Sequence, residues 1–128
     1  MTVKLNHTIV HSLDQREAAR FYAEIFGLPA PKPFGPFLDV DVGNEVTLAF
    51  LDADGKPEMQ HYAFLVSEAE FDQIFGRIQA RGMDYWADPG RSQQGEINRH
   101  FGGRGVYFLD PSGHLLEIIT RPYGVNGV

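Results

Sequence analysis

The apolar and polar positions run through one order twice. Val3 to Val10 is a β-branched stretch that predicts a strand, and Asp14 then stands as a helix N-cap with Glu17 three positions on, the spacing of a capping box. Ala18, Phe21, Tyr22, Ile25 and Phe26 recur at helical spacing until Gly27 and Pro29 stop the helix. FLDVDV (Phe37 to Val42), a Gly43-Asn44 turn and VTLAFL (Val46 to Leu51) then predict a β-hairpin. After the turn-rich stretch from Asp52 to Gln60 the order restarts. HYAFLV predicts a strand, and Ser67 with Glu70 a capping box. Phe71, Ile74, Phe75 and Ile78 form a helical stripe at one constant offset from Ala18, Phe21, Tyr22 and Ile25, ended by Gly82. Tyr85 to Ala87, Gly105 to Leu109 and His114 to Thr120 predict three more strands, the last two joined by the DPSG turn. This is an α+β pattern of two βαβββ modules, about 1–55 and about 56–128, whose sheets are expected to need each other to bury their apolar faces. One long loop, Asp88 to Gly103, interrupts the second module, and such loops often carry function.

Composition narrows the chemistry. A chain of 128 residues that is 43% hydrophobic suits one compact domain. Its net charge of -6 and lack of a basic cluster argue against nucleic acid and anionic membranes as partners and for a small molecule. MTVKLNHTIV has no charged segment followed by a long apolar one, and no apolar run nears the roughly 18 residues of a membrane span, so a cytoplasmic protein is expected. Cysteine is absent, which removes disulfides, thiolate catalysis and Cys-type zinc sites. Any metal site must draw on His, Asp or Glu.

One residue breaks the pattern. Glu117 lies inside the apolar run HLLEII, where a strand buried on both faces makes an ionised carboxylate costly unless a cation meets it. Strand alternation puts His7 on the face of Val3, Leu5 and Ile9, His61 on that of Ala63 and Leu65, and Glu117 on that of Leu115 and Ile119. His7 and His61 open equivalent strands of the two modules. Two imidazoles and a carboxylate form a facial triad that leaves positions open on Fe(II) or a similar ion. A lone His on an apolar strand is more often a satisfied core residue; the repeat and the buried Glu favour the triad.

At these residues the chain resembles the vicinal oxygen chelate superfamily, which includes glyoxalase I, fosfomycin-resistance proteins and type I extradiol dioxygenases. The resemblance covers nearly the whole chain. It implies paired βαβββ modules forming an open, cup-shaped mixed β-sheet barrel with the helices outside. It implies His7, His61 and Glu117 as ligands of a divalent metal, with Fe(II) the leading choice and Mn(II), Ni(II) and Zn(II) also compatible. Glyoxalase I has a further Glu ligand, and Leu48 stands at the matching place here. HYAFLVSEAEFDQIFGRI and YFLDPSGHLLE look very like the fosfomycin transferases, although Ile9 and Ala87 replace drug-binding positions of that group.

Asn98, His100, Val106-Tyr107, Asp110-Pro111, Gly113 and Glu117 resemble the extradiol dioxygenase signature. By that resemblance His100 would stabilise substrate and intermediate through hydrogen bonds, and Tyr107 would bond a chelated substrate oxygen. The extradiol enzymes carry another active-site His before the second ligand, and Leu51 to Gln60 contains none. The leading expectation is a metal-dependent, dioxygenase-like oxidoreductase acting on a small catechol or enediol. A glyoxalase- or fosfomycin-resistance-like lyase or transferase, and a drug-binding protein of the bleomycin-resistance kind, are the rivals. A homodimer is implied by the resemblance.

Overall fold

The computed structural model describes residues 2–124 and divides into two compact units, Met1–Glu58 and Met59–Val128. The first contains β1 (His7–Ser12), α1 (Gln15–Phe26), β2 (Lys32–Phe34), β3 (Phe37–Asp41) and β4 (Thr47–Asp52). Its sheet runs β1-β4-β3-β2, with β1 parallel to β4 and the other pairs antiparallel. Asp14 caps α1 by accepting from the amides of Arg16 and Glu17, and Gly27 closes it in the left-handed conformation, at φ 69°, which glycine adopts without a Cβ clash. The apolar stripe of α1 covers one face of the sheet, where Val10, Val40, Leu48 and Phe50 are buried and the Tyr22 and Phe50 rings stand 4.8 Å apart. The opposite face carries His7 and Ile9 on β1, Thr47 and Ala49 on β4, and Phe37 and Asp39 on β3.

The second unit repeats the order with β5 (His61–Leu65), α2 (Glu68–Ala80), β6 (Gly105–Leu109) and β7 (Leu115–Ile119). Its sheet runs β5-β7-β6, parallel then antiparallel. Both halves of the capping box at Ser67 and Glu70 are formed. Tyr62, Phe64, Val106, Phe108, Leu116 and Ile118 share one face, and the α2 stripe of Phe71, Ile74 and Ile78 is buried. The other face carries His61, Ala63 and Leu65, Tyr107, and Leu115, Glu117 and Ile119. The two sheets are mixed and neither closes into a barrel, an α+β fold as expected.

Three details differ from the sequence expectation. The first strand begins at His7 rather than Val3, because β4 offers a partner only from Thr47 onward; Val3 and Leu5 are exposed outside it and do not share a strand face with His7. The strand over Tyr85–Ala87 shrinks to bridges at Trp86, which exchanges two backbone hydrogen bonds with Tyr107. Asp88 then gathers the amides of Ser92 and Gln93 into a turn that draws the chain away from β6. Finally, β2 is a strand for which the sequence pattern makes no case; an edge strand tolerates Pro33 because its missing N–H costs no ladder bond.

Candidate active site

In the second unit the register of β5, β7 and β6 sets Ala63 and Tyr107 on either side of Glu117. Glu117 is fully buried, and each of its oxygens has a partner. His61 Nε2 lies 3.1 Å from Oε1, and the Tyr123 hydroxyl donates to Oε2. Tyr107 lies 3.0 Å from Tyr123, hydroxyl to hydroxyl. Tyr123 has one proton and gives it to Glu117, so Tyr107 is the donor to Tyr123. The His61 and Tyr107 rings stack at 5.9 Å. Burial pushes the Tyr107 phenol well above the usual tyrosine range, with its bond to Tyr123 and the Glu117 charge adding to the shift. Burial likewise raises Tyr123, reinforced by donation to Glu117. Both remain protonated donors.

The tautomers of the two candidate His ligands follow from their other ring atoms. His61 Nδ1 lies 3.0 Å from the Leu115 carbonyl and His7 Nδ1 2.8 Å from Asn6 Oδ1, and both oxygens only accept. Each Nδ1 therefore donates, the arrangement by which a protein orients a metal-binding imidazole. At His61 the short approach of Nε2 to Glu117 is then closed by a second proton or by a cation in its place. His61 and Glu117 thus fit a divalent ion as two donors with their geometry already set. Among the described residues no group of three His, Asp or Glu side chains could hold a metal; His61 and Glu117 come together in the second unit, and His7 stands in the first.

His7 borders a cavity of about 370 Å³ on the open face of the first sheet. Phe37 and Asp39 of β3, Thr47 and Ala49 of β4 and the exposed Phe34 line it too. Leu48, which the resemblance matches to the further glyoxalase ligand, is buried on the α1 side, and the β4 residues that border the cavity are Thr47 and Ala49. Asp39 Oδ1 is buried without a hydrogen-bond partner. His100 is exposed on a 3₁₀ turn, His100–Gly102, and its ring packs edge-on to Phe101, which in turn packs against Tyr123. It stands one aromatic ring away from the hydroxyl pair. His114 is buried and accepts from the Gln60 amide through Nδ1, the structural role its place beside the turn suggests.

Tyr123 is the residue that sequence reasoning missed. It follows the last strand in no periodic pattern, and only its nearness to Glu117 in the chain signals it. Asp39 was missed as well, although Asp39 and Asp41 interrupt FLDVDV on one parity.

The family model of the Glyoxalase/Bleomycin resistance protein/Dioxygenase superfamily matches residues 4–118, and the chain belongs to that superfamily. The chain is similar to the metallothiol transferase FosB of Shouchella clausii (strain KSM-K16), with 32% identity over 91% of this chain and 79% of that protein. Two solved structures are more alike. Oxidase ChaP-H1 is 62% identical with a TM-score of 0.94, covering 96% of this chain and 99% of the other. Oxidase ChaP-H2 is 56% identical with a TM-score of 0.95, covering all of both chains. No helix among the described residues is long and apolar enough to cross a membrane.

Proposed function

We propose that the protein is a metal-dependent, dioxygenase-like oxidoreductase that acts on a small catechol or enediol. The observation that carries the reading is the paired preparation of His61 and Glu117: a buried carboxylate faces an Nε2 whose ring is already oriented through Nδ1. His7, oriented in the same way, would be the third ligand, from its own or a second copy of the chain. A bound divalent ion, Fe(II) by preference, would supply Lewis acidity to a chelated diol and a place for O2. In ring cleavage a carbon–carbon bond of the diol breaks, both atoms of O2 enter the product, and the substrate's own electrons reduce the O2. Such a reaction needs no external reductant. Similarity to two proteins named oxidases supports this class over transfer chemistry.

The chain's residues have distinct tasks. Tyr107 already donates to a phenol oxygen, that of Tyr123, and a substrate hydroxylate in its place would receive the same proton. Its raised pKa keeps that proton on Tyr107 until it is drawn away. His100, reached by movement of the loop, would act as acid toward the developing oxyanion. Glu117 itself is fully buried, and the half-exposed Tyr123, packed against Phe101, covers its Oε2.

A metal-dependent transferase is the second reading, favoured by the match to FosB. The test is O2 uptake with a panel of catechols, run beside anaerobic thiol addition to an epoxide. Catechol-dependent O2 consumption supports the dioxygenase; anaerobic thiol transfer without O2 uptake replaces it with the transferase.

A further inference from the structure

The cavity beside His7 holds an acid that nothing in the fold employs. On the open face of the first sheet two aspartates project from alternate positions of β3, and their surroundings differ. Asp41 is satisfied: Lys32 Nζ lies 3.0 Å from one oxygen and the Thr47 hydroxyl 2.9 Å from the other. Lys32 is the cross-strand neighbour of Asp39, yet its ammonium reaches past Asp39 to Asp41. Asp39 Oδ1 is left buried with no donor, in a cavity walled by Phe34, Phe37, Ile9 and Ala49 together with the polar Asn6, His7 and Thr47. A buried oxygen without a hydrogen bond costs folding free energy, and a native protein retains such a group most readily where a ligand satisfies it.

We infer that Asp39 is a specificity-determining residue, accepting a hydrogen bond from a hydroxyl that the substrate carries away from its chelated oxygens. This rests on the reading of a diol chelated at a centre that includes His7. The same cavity is bordered by His7, so one ligand can touch both ends. His7 pairs with Thr47 and Asp39 with Ala49, and β4 lies between their strands. Strand spacing and rise then set the two Cα atoms about 12 Å apart. The donor is therefore distant from the diol, and Phe34 and Phe37 suit an apolar, aromatic body between them.

The test compares a dihydroxynaphthalene with the analogue bearing a third hydroxyl on its distal ring. Calorimetric affinities are measured on Zn(II)-loaded protein, which does no oxygen chemistry, and again on metal-free protein. Wild type should prefer the trihydroxy ligand by about 10- to 100-fold, the range of a hydrogen bond to a carboxylate. Asp39→Leu should abolish the preference with metal content unchanged, and should melt higher than wild type without ligand, since an unsatisfied carboxylate is gone. Asp39→Asn, which keeps the volume and loses the charge, should reduce it. Equal affinities in wild type, failure of both ligands to bind, a preference that survives Asp39→Leu, or one undiminished in Asp39→Asn overturns the role of Asp39. Failure of wild type to hold Zn(II) overturns the metal reading instead, and the metal-free comparison still decides Asp39.

Discussion

Removing the Tyr123 hydroxyl with Tyr123→Phe breaks two bonds at once. One is a charge-assisted bond to Glu117 Oε2, the other the bond accepted from Tyr107. Bonds to charged groups are worth about 1.5–3 kcal/mol and neutral ones about 0.5–1.5 kcal/mol. Tyr123 is 50% exposed, so water can replace part of the loss, and a net destabilisation of about 1–2 kcal/mol follows. Tyr107→Phe breaks the neutral bond to Tyr123 and should cost about 0.5–1.5 kcal/mol. The double variant gives the sharper readout. Once Tyr123 has lost its hydroxyl, Tyr107 has lost that acceptor, so adding Tyr107→Phe should cost less than in wild type by about 0.5–1 kcal/mol. Urea unfolding of the four proteins measures this, with thermal shifts of about 4 °C per kcal/mol as a cross-check. Strict additivity would refute the relay from Tyr107 through Tyr123 to Glu117.

Two further outcomes follow from the site. His100→Ala should lower kcat by at least about tenfold, the low end for loss of a proton donor being about 100-fold with rescue by water, while bound metal stays at the wild-type level; an unchanged kcat in steady-state assays removes His100 from the chemistry. Tyr107 and Tyr123 have pKa values raised by burial, so the folded state favours their protonated forms, and that contribution is intact below the ordinary value of 10.0 and is lost as pH rises beyond it. Denaturation midpoints should therefore fall above about pH 10, less steeply in Tyr107→Phe, and an equal fall in both proteins would contradict the burial argument.

The repeated modules were legible because each helix announces itself three ways, through Asp14 or Ser67 as cap, an apolar stripe, and a terminating Gly27 or Gly82. Strand edges were less so. Val3 and Leu5 have the composition of a strand, but a strand needs a partner, and the position where β4 begins is not written in the residues before His7. The same limit explains Trp86, whose strand is cut short by the turn that Asp88 organises from the far side of the segment. Glu117 was conspicuous because it violates the apolar pattern, and His61 because parity placed it on the matching face. Tyr123 and Asn6 escaped notice because each acts through one hydrogen bond that no periodicity records.

Metal stoichiometry shows whether Glu117, His61 and His7 together hold one divalent ion. Wild-type protein purified anaerobically, or reconstituted with Fe(II), should hold close to one ion per chain by elemental analysis. Glu117→Gln still accepts from Tyr123 but lacks the charge, and His7→Ala removes a donor from the other unit; both should lose the ion while remaining folded by circular dichroism. Metal-free wild type after reconstitution, or undiminished metal in both variants, would rule out this ligand set.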